Sequence, residues 1–359
     1  MKTHQVPTEA KIGVTKIAID MHLKSYRVVR QLDYTSPQPP QKFEPGKFYP
    51  WLKKQLAQAE RVVVCYEAGC FGYEPARHMQ KLGAEVLVIA PQNWDEQGKR
   101  QVNDKVDALV MCRRLSDYLA GHHKALSIVH IPTPEEEARR AQSRLREQLR
   151  VQIRRMQAMG RSLLFQREMF INGRWWTPVN WKRIQEQMPA WVVEQLTVWK
   201  QILLVAEKQL GQIEATLAAA APKKLFVGEG ELSHELIARE LIDPHRFKNP
   251  RQVGNYFGLC PSESSSGERR HLGSITKHGS PRLRRLVIQL AWRVVMFQPQ
   301  YHALQRWQDV LALGAPKKLG AARKKAIVAL ARHLAVDLWR IASGRVQPED
   351  LGLRLRPVA

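Results

Sequence analysis

Four carboxylates in the first third of the chain have the residue type and placement to hold a metal ion. Asp20 nearly ends a β-branched run, Lys16–Met21, where its side chain can point from a sheet rim into a cleft. Glu67 follows a second apolar run, Arg61–Tyr66, again at a carboxyl end. Asp104 and Asp107 are three apart, so on a helix they share a face. Four converging acids repel one another unless a cation neutralises them, and an oxygen-only set suits Mg2+ or Mn2+. Two such ions can clamp the attacking and leaving oxygens of an in-line phosphoryl transfer. Each acid alone has a plainer reading as a solvated surface group, and Asp104, after Asn103, as a helix cap.

A second group of residues runs from Gly258 to Gly279. Gly267, Gly273 and Gly279 permit tight turns and close backbone approach to a ligand. Arg269, Arg270 and Lys277 supply cations for phosphate oxygens, and Arg282, Arg284 and Arg285 extend the patch along the next helix. A serine here is a candidate nucleophile, but its hydroxyl needs a base or a metal to activate it. By composition alone the stretch Pro261–Gly267 reads as a Ser/Gly loop with basic flanks.

The elements that must position these groups follow from periodicity. Strands are predicted at Lys16–Met21, Tyr26–Leu32, Arg61–Tyr66 and Glu85–Ala90. Between them lie a Pro-rich loop, Ser36–Gly46, a helix over Phe48–Ala59 and another helix before Glu85; a further helix runs from Asp104 to Leu119. Interleaved strands and helices predict an α/β sheet covered on both faces. A Pro-rich joint at Ile131–Pro134, followed by three glutamates, opens a long helical segment. There Leu145, Leu149, Ile153, Met156, Gly160 and Leu163, and later Leu196, Trp199, Leu203, Ala206, Leu210, Ile213 and Leu217, recur at threes and fours. That is a heptad seam, predicted to pair with its neighbour or with another subunit. Trp175, Trp176, Trp181 and Trp191 sit in this segment, to pack at a helix junction or to stack on bases.

Charge narrows the partner. The 359 residues carry 57 Lys and Arg against 33 Asp and Glu, a net of +24. Residues 1–130 hold 19 basic and 13 acidic side chains (+6), and the remainder 38 and 20 (+18). Between Arg139 and Arg167 stand nine Arg and one Glu, with Arg154 and Arg155 adjacent. Such an excess predicts a polyanionic partner, nucleic acid first. No apolar run reaches the roughly 18 residues of a membrane span, and the opening residues MKTHQVPTEAKIG lack a signal-peptide core. Four cysteines without a CxxC pair imply neither a zinc knuckle nor a disulfide framework.

The runs IAIDMH, VCYEAG and NDKVDA, with FKNPRQVGNYFGLCPSESSSGERRHLGSITKHGSPRLRRL, resemble one family. The chain is similar to the insertion-sequence transposases that pair a RuvC-like DEDD domain with a serine-bearing C-terminal domain. That group includes bridge-RNA-guided recombinases and has the Piv-type DNA invertases as relatives. The resemblance implies an α/β RNase-H-like (RuvC-like) domain over 1–130, an α-helical coiled-coil arm over 131–221, and a mainly α-helical transposase domain over 222–359. It implies that Asp20, Glu67, Asp104 and Asp107 hold Mg2+ or Mn2+. It also implies that the serine before the Ser-Gly glycine, Ser266, attacks a DNA phosphodiester; three serines in a row leave Ser265 as the alternative. The acids and the serine are 266−107=159 residues apart, which implies a site assembled from separate domains. Nucleic-acid contacts are expected from Arg154, Arg155, Arg269, Arg270, Lys277, Arg282, Arg284 and Arg285. Expected partners are element-end and target DNA, a structured guide RNA, and further copies in a dimer or tetramer, in the bacterial cytoplasm on the nucleoid. Where relatives carry a Pro-Gly-Ile-Gly phosphate clamp, this chain has Phe226–Gly230, without the proline and with Glu229 inside. Two other functions fit the residues: a metal-dependent RuvC-like junction nuclease, and a non-catalytic basic nucleic-acid-binding protein.

Overall fold

In the computed structural model, which describes residues 12–91, 104–266, 269–312 and 320–357, the first predicted strand lengthens to eleven residues, β1 (Ile12–His22). It turns back antiparallel into β2 (Ser25–Leu32), which pairs with a short edge strand, β3 (Gln41–Phe43). α1 (Pro45–Gln58) leads into β4 (Ala59–Glu67), parallel to β1. α2 (Glu74–Lys81) then leads to β5 (Glu85–Ile89), parallel to β4. α3 (Asp104–Leu119) precedes a two-residue edge strand, β6 (Ile128–Val129). The resulting sheet has six strands in the order β3-β2-β1-β4-β5-β6, parallel at its centre and antiparallel at both edges.

Two expectations are corrected here. The loop over Ser36–Gly46 contains β3, and α1 starts at Pro45 rather than Phe48. A three-residue polar edge strand has no period to read, and a proline at the first helical turn is pre-set for helix. The predicted two-sided cover of the sheet is present. Ile17, Ile19, Val62, Val64 and Tyr66 pack with Phe48 and Leu52 of α1 and Met79 of α2. Ala18, Val63, Cys65 and Ile89 pack with Ala108, Met111, Cys112 and Leu115 of α3. Burial on both faces explains why β4 reads as an unbroken apolar run.

The chain divides into two compact units, Met1–Thr133 and Pro134–Ala359. The second opens with α4 (Pro134–Phe165), α5 (Pro178–Gln187) and α6 (Ala190–Ala219). It continues with α7 (Glu231–Leu241), α8 (Pro250–Tyr256), β7 (Pro261–Ser266), β8 (Arg269–Ile275) and α9 (Pro281–Phe297). Two single turns, α10 (His302–Gln305) and α11 (Gln308–Leu311), precede α12 (Gly320–Ala342). A core of α8, α9 and α12 side chains, including Val253, Val287, Leu290, Leu330 and Leu334, closes this unit.

α4 and α6 pack together, and the α6 seam is buried at Leu196, Leu203, Ala206 and Leu217. The α4 seam is not apolar throughout. Leu145 is 46% exposed, while Arg140, Ser143 and Arg146 are buried. Arg146 Nε donates to Glu214 Oε1 of α6 at 2.7 Å, so an ion pair occupies the place predicted for leucine. Trp175, Trp176 and Trp181 lie in a small core with Leu163, Leu164, Ile184 and Leu196, which withdraws them from base stacking. Trp191 remains half exposed beneath the Arg167 guanidinium, 4.9 Å from its ring centre.

Gly160 owes its place to Trp175, whose Nε1 donates to Gln157 O at 3.2 Å. A β-carbon on Gly160 would clash with Cε2, Cζ2 and Nε1 of the buried Trp175 indole. Alanine is the better helix former by about 1 kcal/mol, yet overpacking costs roughly 1–3 kcal/mol. Gly160→Ala is therefore expected to lower the urea midpoint without changing the slope. A midpoint raised by the substitution would contradict this packing.

Candidate active site

The acids are placed by one helix lying on two strands. In the β1–β4 ladder Ile19 pairs with Tyr66, so Asp20 and Glu67 come next, side by side, at the carboxyl ends of parallel neighbours. Alternation puts Asp20 on the face of Ala18, and Glu67 on the face of Cys65, the face that α3 covers. On α3 the buried stripe Ala108, Met111, Cys112 and Leu115 continues backwards through positions 107 and 104.

The height of α3 on the sheet is set by Lys16, whose buried Nζ donates to Ser116 Oγ at 2.8 Å and to Asp33 O at 2.9 Å. Burial pulls this ammonium below the ordinary lysine pKa, against the opposing charges around it. The far end of α3, Leu119, lies with Val14, so helix and strand run in opposite directions. From Ser116 back to Asp107 is nine residues, about 13.5 Å of helix. From Lys16 on to Asp20 is four residues, about 13 Å of strand. Asp107 thus reaches the level of Asp20 and Glu67, and position 104 lies one turn further on.

All three of these acids are partly buried, and Asp20 Oδ2 meets His22 Nε2 at 3.2 Å. Among the described residues no three His, Cys, Asp or Glu side chains are grouped to hold a metal ion. The Asp104 side chain lies outside the described ones. By residue type, Asp20, Glu67, Asp104 and Asp107 offer oxygen ligands only, the donor chemistry that suits a hard divalent cation.

The expected Ser/Gly loop is instead a β-hairpin. Ser266 pairs with Arg269, Ser265 with Arg270, and Ser264 with His271, in antiparallel β7 and β8. Serine has no strand signature of its own, and pairing made by backbone atoms leaves no trace in composition. Ser266 is the last residue of β7; Gly267 and Glu268 lie outside the described residues, as do the side chains of 265, 266, 269 and 270. Positions 264, 266, 269 and 271 belong to one face of the ladder, and 265 and 270 to the other.

Two predicted ligand-approach glycines serve the protein's own backbone. Gly279 packs on Gly258 (φ +65°) and on the carbonyls of Asn255 and Tyr256, with no room for a β-carbon, and Ser280 N donates to Tyr256 O at 2.8 Å. Gly273 makes space for Ser262, whose hydroxyl donates to Ser274 O at 3.1 Å where the ladder shifts register. The basic positions differ in their freedom. Arg284 donates to Lys277 O at 3.3 Å and Arg285 to Glu147 of α4 at 2.7 Å. Lys277 is exposed with a left-handed backbone, Arg155 is exposed, Arg154 donates to Arg150 O at 3.2 Å, and Arg282 is half buried.

A cleft of about 1140 Å³ opens at the base of the hairpin, lined by Arg251, Asn255, Ser262, Thr276, Arg332 and Arg340. The sequence reading missed its α12 cations, although Arg332 and Arg340, eight apart, share a helix face. The Phe226–Gly230 turn closes on itself. Arg293 donates to Gly228 O at 2.5 Å, and buried Glu229 Oε1 meets His234 Nδ1 at 2.9 Å.

These features coincide with the comparisons. The sequence profile described as the transposase IS116/IS110/IS902 family matches residues 228–306, the stretch that contains the hairpin. The chain is 30% identical over 314 residues to y4qE of Sinorhizobium fredii, a transposase by assignment, covering 81% of this chain and 78% of that one. It is 28% identical over 310 residues to the transposase for insertion sequence element IS1328 of Yersinia enterocolitica, covering 82% and 88%. The class is thus that of DNA transposases carried by insertion sequences. The chain belongs to the IS116/IS110/IS902 transposase family. Among the described residues no helix is long and apolar enough to cross a membrane.

The closed turn has a pH signature. Burial pulls the His234 pKa down, but the Glu229 hydrogen bond and the charges of Glu229 and Glu235 outweigh it and hold the imidazole above its ordinary value. A raised folded pKa stabilises fully below the unfolded value of about 6.5 and is lost as pH rises through the folded one. Tm should fall over the interval just above pH ~6.5, and His234→Gln should flatten that fall. An unchanged profile in the variant would refute the pairing.

Proposed function

We propose that this transposase cleaves and rejoins DNA by attack of Ser266 on a phosphodiester, supported by a divalent-metal site on Asp20, Glu67, Asp104 and Asp107. The observation that carries the reading is the sheet rim to which strand register and the Lys16–Ser116 bond bring Asp20, Glu67 and Asp107. The strand order β3-β2-β1-β4-β5, with an antiparallel hairpin followed by parallel strands, supports an RNase-H-like, RuvC-like first domain over 1–130. A helical arm over 131–221 and a serine domain over 222–359 complete the reading, with the family match at 228–306 in its favour.

The chemistry then divides among named groups. Bound Mg2+ or Mn2+ supplies charge stabilisation for the attacking and leaving oxygens. Ser266 Oγ loses its proton and bonds to phosphorus, while the bond from phosphorus to one strand oxygen breaks and that oxygen takes up a proton. The phosphoester count is conserved, so reversal with a new strand end rejoins DNA without a high-energy cofactor. The hairpin gives the serine register a physical meaning: position 266 shares its ladder face with Arg269, whereas 265 belongs to the opposite face. The basic excess of the second segment supports DNA as partner and is compatible with a structured guide RNA and with action as a dimer or tetramer.

The test is a cleavage and strand-exchange assay on element-end DNA. Asp20→Asn and Asp107→Asn should each lower cleavage by at least about a hundredfold with DNA binding retained. Ser266→Ala should abolish strand exchange, and Ser265→Ala should keep most of it. Full cleavage by Asp20→Asn, or in excess chelator, would remove the metal site. Strand exchange lost in Ser265→Ala and kept in Ser266→Ala would move the nucleophile.

A further inference from the structure

A small cleft lies among α4, α7 and α9, about 110 Å³ in volume, lined by Ser143, Arg146, Arg150, Arg154, Arg282 and Arg285 with Glu147 and Glu240. Its charges do not cancel. Arg146 is bonded to Glu214, Arg285 to Glu147, and Arg144 Nε lies 3.9 Å from Glu240 Oε1. Six arginines against three glutamates leave a net of three positive charges: Glu147 is shared between Arg285 and, at 3.9 Å, Arg154, while Arg150 and Arg282 form no ion pair among the described residues. Like charges held together from two separate helices repel unless an anion joins them.

Polar atoms at the cleft also lack partners. Arg282 Nε and Ser143 Oγ are buried and have no hydrogen-bond partner among the described residues. A buried donor left unpaired costs about 1–3 kcal/mol, so such groups are normally satisfied by something bound. Their geometry suits a tetrahedral oxyanion: forked guanidinium donors from α4 and α9 and a hydroxyl donor from α4. The volume is well above the roughly 10–15 Å³ needed for one water, yet too small for a nucleoside. The Glu147 carboxyl, though burial raises its pKa, is held below its ordinary value by Arg285, Arg150 and Arg154. It stays ionised and keeps Arg285 in place.

We infer that this cleft seats a single backbone phosphate of a bound nucleic-acid strand, gripped by Arg150, Arg154 and Arg282 with Ser143. The inference rests on the nucleic-acid reading above and adds one defined contact point to it. It joins Arg154 of the arm and Arg282 of the serine domain, two patches far apart in sequence.

The full chain is tested in two ways. In the first, affinity for element-end DNA is measured against salt for wild type, for Arg150→Gln with Arg282→Gln, and for a charge-matched control, Lys182→Gln with Arg183→Gln, on exposed positions of α5. The cleft variant should bind about tenfold more weakly, with a salt slope smaller by about one; the control should change less than about twofold. In the second, phenylglyoxal modification of wild-type protein is mapped by peptide mass spectrometry, which needs no variant to fold. DNA should protect Arg150 and Arg282, and inorganic phosphate at equal phosphate concentration should protect them far less. Protection by inorganic phosphate alone, with an unchanged slope, would make this a free-anion site and overturn the inference. Normal salt-dependent binding with neither protection nor slope change would overturn it while leaving the nucleic-acid reading intact. Absence of any salt-dependent binding by wild type would remove that reading and this inference together.

Discussion

The packing of α3 against the β1–β4 pair is the contact on which the acidic rim depends. Ala108, Met111, Cys112 and Leu115 are each almost fully buried, and burial of such side chains is worth about 1.5–3 kcal/mol apiece for the larger ones. That apolar stripe holds the helix down, and the Lys16–Ser116 bond fixes its height. Asp107 sits where the stripe runs out, at the end of the sheet where parallel strands β1 and β4 deliver Asp20 and Glu67. Asp20, Glu67 and Asp107 are thereby brought to one rim of the sheet by a force that has nothing to do with charge, without being grouped closely enough in this structure to hold a metal ion.

The second unit solves the opposite problem, an excess of cations. Part of the excess is turned inward and matched. Arg239 Nε donates to Glu235 at 2.6 Å, and Arg139 to the same carboxylate at 3.1 Å. With Arg146–Glu214 these pairs tie α4 to α6 and α7. Pairs of this kind return little net stability after desolvation, but breaking one strands a buried charge, so they define which helix faces meet. Among the described residues, cations not matched in this way include those at the α4–α9 cleft, along the exposed face of α4 and at the cleft beside the hairpin. The division between structural and available arginines is therefore made by burial and pairing, which composition cannot distinguish.

Sequence patterning captured the central sheet because its strands are continuous β-branched runs buried on both faces. The bounds of α3 were legible for the same reason, an apolar stripe with clear ends. Three elements were not. β3 and β6 are edge strands of three and two residues, too short for a period. The β7–β8 hairpin is built from serines and arginines whose pairing is made by the backbone. The α4 seam misled because an ion pair, not leucine, fills its first half, so the exposed Leu145 matched the spacing by chance. Among the candidate acids, Asp20 and Glu67 were marked by their places at strand ends and Asp104 and Asp107 by their spacing on a helix, while the candidate serine came from resemblance. The arginine cleft was invisible, since Arg150 and Arg282 are 132 residues apart (282−150) and meet only in the folded chain.

The central claim is that a serine of the hairpin becomes joined to DNA. The most direct measurement is denaturing electrophoresis of the protein with labelled, nicked element-end DNA in Mg2+, followed by mass mapping of the linked peptide. The account predicts a covalent adduct on Ser266 that disappears in Ser266→Ala and in Asp20→Asn. Efficient DNA cleavage with no adduct on any residue would contradict it and leave a metal-dependent nuclease in its place.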